Sequence, residues 1–459
     1  MITVSDAYKT AVNADTRRWL PRIEIYFDGP GVDPVVFDGD DVASISLLEE
    51  SSADGENPLG LVSSNEIKIN LDNSERNFTP TNTTSLYHGK LKPNILIKPY
   101  LGLLVAPGTY EYIPLGVFRS GDWQSPSGSV EASVTAYDRL YEIGKLDVPM
   151  IAMAANTTIG QLFAILFDAL GLAAEEYDVG EALDQPVPLG YIPNGKVLAA
   201  LQYMTIAGSC SVTTDRYGVI NVTSNFVTGS VVPVQTWTDQ NQIAEAENPQ
   251  RYLDCYSAVK VNYKIPRLNP LDTILKIEQL VIPTGGITIA NVEFSAGPVA
   301  YVEQVRLNGA VNSGVVSVEY GAWTITVAIA NAGDQETVEL EVIGQDVDFI
   351  TVPYTAQDSA AIAEFGFKEL SIDNRLIQGS QIAQSYATSL LSYVLDPLVN
   401  FDLEIRGDPA IEVGDIVQIQ DPSDLIGSVD VVPVRITLDF DGGLSASARA
   451  RKPVPLEVD

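Results

Sequence analysis

The feature that most restricts the fold is a two-residue hydrophobic period that returns in segment after segment. Near the C-terminus, Val434, Ile436, Leu438 and Phe440 alternate with Arg435, Thr437 and Asp439. Across Asp441-Gly442-Gly443, the residues Leu444, Ala446, Ala448 and Ala450 then alternate back. Successive strand side chains point to opposite faces, so such a run buries one face and wets the other. Glycine tolerates the positive φ of a tight turn, which makes the segment a hairpin. Glu66–Leu71 and Val130–Ala136 carry the same alternation, Arg22 to Phe27 reads as a strand, and Asn57-Pro58 and Pro107-Gly108 punctuate the intervals. Strands this frequent predict a sandwich or barrel.

The pattern changes along the chain. At roughly 100–200 residues per domain, 459 residues make three or four domains. Residues 1–147 read as mostly strands, after a short helix that Ser5 caps and that runs to about Asn13. Residues 148–235 read as a small α+β domain. There Thr157 or Thr158 caps a helix with Ile159, Leu162, Phe163, Leu166, Phe167 and Leu170 on one stripe, stopped by Gly171. A second helix starts near Asn194, carries Val197, Leu198 and Leu201, and ends at Gly208. Ser211–Asp215 and Val219–Ser224 flank Tyr217-Gly218 as a hairpin. Residues 236–272 and 351–459 form one domain, interrupted by a β-rich insertion at 273–350. Its helices are Asp358–Phe365 and about 379–395, the second with Ile382, Tyr386, Leu390, Leu391 and Val394 on one face and Pro397 as its stop. Both 113–140 and 411–450 read as strand, Gly/Asp-rich turn and strand pair, which suggests two barrels of similar plan.

Composition narrows the chemistry. Sixty acidic residues against 27 basic give a net charge of -33, which disfavours binding to nucleic-acid phosphates or to an anionic membrane surface. The acidity reads most simply as a solubility device; the sharper reading is a conduit wall that repels DNA. The N-terminus lacks the basic and apolar regions of a secretory signal, and no run of about 18 apolar residues predicts a membrane helix. The single histidine, His88, lies between turn residues and has no G-x-S-x-G nucleophile elbow to serve, so a structural role is expected. Cys210 and Cys255 exclude a Cys-rich zinc site, and one bridge between them stays open. The carboxylate pairs Glu49-Glu50, Glu175-Glu176 and Asp40-Asp41 are what 60 acidic residues produce by chance, and are expected on solvated faces or at helix starts. Phe37-Asp38-Gly39-Asp40-Asp41 lacks the spaced ligands of a calcium loop and reads as a tight turn. Gly29 and Gly31 flank a proline and make a loop rather than a phosphate cradle. No catalytic, cofactor-binding or metal-ligating residue is expected, and no cofactor. The rival is a carbohydrate-active enzyme or lectin, with Trp19, Trp123, Trp237 and Trp323 as scattered candidates for sugar stacking.

Several stretches, taken in order, resemble one family. They are Pro58–Glu66, Leu71-Asp72-Asn73, Asn77-Phe78-Thr79-Pro80, Tyr87–Pro93, Tyr112–Phe118 and Val134–Leu140, then Asn374-Arg375-Leu376-Ile377, Leu403 to Gly407, Val413-Gly414-Asp415 and Asp441–Ser445. The set is similar to bacteriophage tail-tip or baseplate hub proteins, most of all the siphophage and prophage versions of the Gram-positive type. The resemblance implies a mainly β, multidomain chain: two tail-tube-like β-barrels, a small α+β domain and a β-sandwich-like insertion. It implies a homotrimer capping the tail tube at the distal end of the virion tail. The expected partners are a hexameric distal tail protein or tail-tube ring, the tape-measure protein, and tail fibre or receptor-binding proteins. Phage DNA would pass without specific binding. Many relatives carry a C-terminal peptidoglycan hydrolase or a long fibre-like extension; here the chain stops after the last hairpin, so no lytic activity is expected.

Overall fold

The computed structural model describes residues 1–51, 62–181, 183–227, 232–247, 255–395, 400–420 and 428–455. Asn57-Pro58, the stretch Pro58–Leu61, Pro397 and the tail 456–459 lie outside the described residues.

Alternation near the N-terminus folds as strands β1 (Trp19–Tyr26), β2 (Val35–Asp38), β3 (Val42–Glu50), β4 (Glu66–Asp72), β5 (Leu96–Ala106), β6 (Thr109–Pro114), β7 (Phe118–Gln124) and β8 (Glu131–Tyr137). These strands do not form a sheet of their own. They continue into the C-terminal strands as one 14-stranded sheet. Its order runs Ile243–Glu247, Asn400–Ile405, Leu444–Arg451, Val429–Phe440, β3, β4, β8, β7, β5, β1, β2. The seam is the antiparallel pairing of β3 with Val429–Phe440, from Arg435 opposite Glu50 to Phe440 opposite Ile45. One face of the whole sheet is apolar: Ile45, Leu47, Ile67, Ile69, Val134, Leu438, Phe440, Phe401 and Leu403 share a single buried cluster across the seam. Helix α1 (Asp6–Val12), capped by the Ser5 hydroxyl, adds Tyr8 and Val12 against Leu103 and Ala410.

A second core lies beside the sheet. It begins with the short helix α2 (Arg139–Gly144), whose N-cap is Asp138 and which contributes Leu140 and Ile143. Helix α3 (Ile159–Ala169) starts at a capping box in which Thr158 Oγ1 accepts from the Gln161 N–H and Gln161 Oε1 accepts from the Thr158 N–H. Helix α4 (Val197–Gly208) ends at Ser209 in the left-handed region. It starts at Val197 rather than near Asn194, whose side-chain oxygen accepts from the Gly195 N–H instead. The hairpin Cys210–Thr214 with Ile220–Ser224 is present. Helix α5 (Ser359–Phe365) is capped by Asp358. Helix α6 (Ser380–Val394) packs into this same core with α3 and α4, where the Tyr386 hydroxyl donates to the Ile206 carbonyl at 2.6 Å.

The insertion has its own apolar centre, including Ile274, Val327, Leu340 and Val342. Its link to the rest is the 22-residue strand Glu336–Gln357, which pairs with Asp272–Ile282 along one part and with Ala258–Leu268 along the next. The other sheet of the insertion is Ile287–Glu293, Thr324–Asn331 and Ser313–Tyr320. The chain is thus mainly β, built from several sheets.

Candidate functional site

The most constrained point in the molecule is Arg216, at the turn of the Cys210–Ser224 hairpin. That turn is set by Asp215, whose side chain accepts from the Tyr217 and Val219 N–H groups, and by Gly218 at φ +86°, packed on Val117. The turn drives Arg216 into the protein, where it is 1% exposed. Its Nε donates to Glu49 Oε1 at 2.8 Å and its Nη2 to Glu49 Oε2 at 2.6 Å, the two-pronged geometry that a guanidinium makes with a carboxylate. Nη2 also donates to the Ile411 carbonyl at 3.0 Å, and Nη1 donates to the Pro409 carbonyl. One side chain thereby joins the α+β part, β3 and the loop before Val417–Gln420. Burial works against its charge, but Glu49 and Glu412 more than offset this and raise its pKa.

Other buried and half-buried charges ring the same junction. Asp408 accepts from the Tyr8 hydroxyl at 2.9 Å, from Gln235 Nε2 at 3.3 Å and from the Ala410 N–H at 2.9 Å, and burial raises its pKa. Burial also raises Glu412, with Arg216 pulling the other way. Asp138 accepts from the Asn65 N–H at 2.8 Å while capping α2, and burial pushes it up to about 6. Arg17, pushed down to about 10 by burial and by Arg406, donates to the Gly407 carbonyl at 2.6 Å.

The opposite face of the long sheet is polar. Rows of side chains run across it in register: Arg435 beside Glu50 and Arg449, Thr437 beside Leu48 and Ser447, Lys68 beside Ser46 and Thr135. Its ion pairs are half-exposed, Arg449 with Asp402 at 2.9 Å and Arg435 with Glu50 at 3.9 Å. This face carries both signs of charge rather than a wall of carboxylates.

The residues singled out from sequence fall as follows. His88 is exposed on the loop between β4 and β5, and Asp40-Asp41 sit in a 3-10 turn. Glu49 departs from expectation: it is a buried partner of Arg216, 3% exposed, and not part of a solvated acidic face. Glu49 and Glu50 point to opposite faces of β3 and do not form a carboxylate dyad. Glu176 pairs with Arg139 at 2.7 Å; the Ala173 N–H and Arg139 together hold its pKa down. Cys210 and Cys255 are both buried and are not joined in a disulfide, and burial raises the Cys210 thiol. Trp237 lies in the sheet core, and Trp19 and Trp123 pack half-buried against it. Trp323 lines a cleft. Among the described residues no cluster of His, Cys, Asp and Glu could hold a metal ion, and no helix is long and apolar enough to cross a membrane. Arg216 was missed because no periodicity marks it: Thr214-Asp215-Arg216-Tyr217-Gly218 reads only as a turn.

No family model and no curated protein sequence matches the chain. Two solved structures share its fold over nearly its whole length. One is the 43 kDa tail protein of prophage MuSo2 from Shewanella oneidensis, with a TM-score of 0.53 and 10% identity, covering 95% of this chain and 100% of that one. The other is a tail protein from Neisseria meningitidis MC58, with a TM-score of 0.54 and 8% identity, covering 95% and 97%. The fold is therefore that of phage and prophage tail proteins.

Proposed function

We propose that the chain is a non-catalytic structural hub of a bacteriophage tail tip or baseplate, of the siphophage and prophage kind, at the distal end of the virion tail. The single observation that carries this reading is the shared fold with two tail proteins, one of them from a prophage, over 95% of the chain. The seam between β3 and Val429–Phe440 adds to it, because it places a sheet half from each end of the chain side by side. In this reading, residues 1–147 form a first tube-like barrel, and 236–272 with 351–459 a second. Residues 148–235 form the α+β domain that braces them, and 273–350 a sandwich-like insertion.

Three copies would then present six similar lobes to a hexameric distal tail or tail-tube ring. Tape-measure protein and DNA would pass through the middle, and fibres or receptor-binding proteins would attach outside. The sheet's polar face would line the channel, because half-exposed ion pairs offer passing phosphates few free cations to dwell on. The buried network around Arg216 would hold the two lobes of each chain in fixed relation while the ring opens. Electron microscopy of the purified protein, with native mass alongside, tests this directly. A threefold ring with six lobes is expected. A particle that stays monomeric at high concentration, and when mixed with its tail-tube ring, overturns it.

A further inference from the structure

Three of the tryptophans pack in or against the core of the long sheet, whereas Trp323 packs half-buried against the second core and also lines a cleft. It lines a cleft of about 530 Å3 with Tyr191, Tyr203, Phe294, Glu293 and Arg375, where the loop before α4 meets the insertion. The walls are fixed in advance. Trp323 Nε1 donates to the Ile192 carbonyl at 2.8 Å, and Tyr191 meets the indole edge-on at 75° with ring centres 5.6 Å apart. The Arg375 N–H donates to the Tyr203 hydroxyl at 2.7 Å, and its guanidinium lies 5.6 Å from the centre of the Phe349 ring. At the rim, Asn194 Nδ2 donates to Glu293 Oε1 at 3.1 Å, tying the loop to the insertion across the cleft. The clefts beside Arg449 and beside Asp415 have no aromatic wall.

We propose that this cleft binds a neutral saccharide. This goes beyond the hub reading and does not depend on it. A pyranose ring has an apolar C–H face and a rim of hydroxyls. Aromatic faces carry negative charge that attracts C–H groups, while hydroxyls need both donors and acceptors beside them. Tyr203, Phe294 and Trp323 supply the rings. Glu293 accepts, Arg375 donates, and the Asn194 amide does both. The cleft falls within the range of small-molecule sites, about 300–1,000 Å3, and lies at a boundary between structural units, where such sites gather. Because Trp323, Tyr203 and the Asn194–Glu293 rim are already held by hydrogen bonds, little ordering cost is left for binding. The ligand is neutral because Glu293 stands at the mouth of an insertion with ten acidic residues against two basic ones in 273–350, which repels polyanions.

The test is calorimetric titration of the full chain with chitotriose, maltotriose, cellotriose and mannotriose, each taken to about 20 mM, which reaches dissociation constants in the millimolar range. Saturable binding of at least one trisaccharide is expected. Glu293→Gln and Arg375→Ala, both at exposed side chains, should each weaken it at least about tenfold, the loss expected for one hydrogen bond to a charged group, with the melting temperature unchanged. Trp323→Phe keeps a ring while removing the bond to Ile192 and should weaken binding less than Trp323→Ala. Absence of binding to all four sugars overturns the proposal. So does binding that both rim variants leave intact, or a cleft that takes a proline-rich peptide and no sugar.

Discussion

Glu49 and Glu50 are chain neighbours, and they live in different worlds. Glu49 points from β3 into the apolar side, beside Ile45 and Leu47, and meets Arg216 out of reach of water. Glu50 points to the polar side and stands 3.9 Å from a half-exposed Arg435. The same side chain is thus used twice, once as a buried tie between structural units and once as a partly exposed partner of Arg435. The difference lies in desolvation. Two buried charges that lose water must find every bond inside the protein, whereas two surface charges keep their water and gain little from each other.

Breaking the buried tie should give the largest effect. Glu49→Gln or Arg216→Met leaves one charge buried without its partner and should cost about 3–5 kcal/mol in urea unfolding. The double variant Glu49→Leu with Arg216→Met removes both charges and should recover much of that loss. Equal losses in the double variant and in the sum of the singles would mean that the two groups do not act as a pair.

Next in size is the apolar version of the same contrast. Leu47 is fully buried and Leu48 is half-buried on the opposite face. Leu47→Ala should cost about 2–5 kcal/mol through lost burial and a residual cavity, and Leu48→Ala under about 1 kcal/mol. Similar values would show that the polar face is covered within the chain or by another copy of it.

Asp138 carries the comparison into pH. Its folded pKa of about 6 lies above its unfolded value of about 3.9, so the folded state binds the proton more readily. Its charged form therefore burdens the folded state above pH 6, and that burden is relieved as pH falls through 6 toward 4. The relief is on the order of 2–3 kcal/mol. Asp408 and Glu412 act in the same direction, since burial raises both. Asp138→Asn, which can still cap α2, should flatten Asp138's share of the stability profile between pH 7 and 4. An unchanged profile would remove Asp138 from the titrating set.

Much of this was legible in the sequence where local rules decide. The alternation of Val434–Phe440 and Leu444–Ala450, the Thr158 cap, the stripe Ile159–Leu170 and the Tyr217-Gly218 hairpin turn each depend on residues a few positions apart. What was not legible depends on distance along the chain. Period two says that β3 has a buried face, but not that its edge partner is Val429–Phe440 nearly 400 residues away. Nor does it say that α6 packs on α3 and α4, or that a turn arginine reaches Glu49 across 167 positions. Buried polar partners are chosen by tertiary geometry, and the pair Glu49-Glu50 looks the same on paper whichever way each side chain points.

The smallest expected effect lies at the other end of the same sheet. Arg449 and Asp402 make a contact of 2.9 Å, about as close as Arg216 makes with Glu49, yet their side chains are 37% and 34% exposed against 1% and 4%. Distance alone would rank the two pairs together; burial separates them. Asp402→Asn should therefore change stability by no more than about 1 kcal/mol, and by less as salt is raised, because water and ions screen the pair. A loss comparable with that of Glu49→Gln would mean that this face is dry in the particle measured, covered by another subunit. Asp402→Asn measured at low concentration and again in the assembled ring would then separate the chain's own stability from that of its packing.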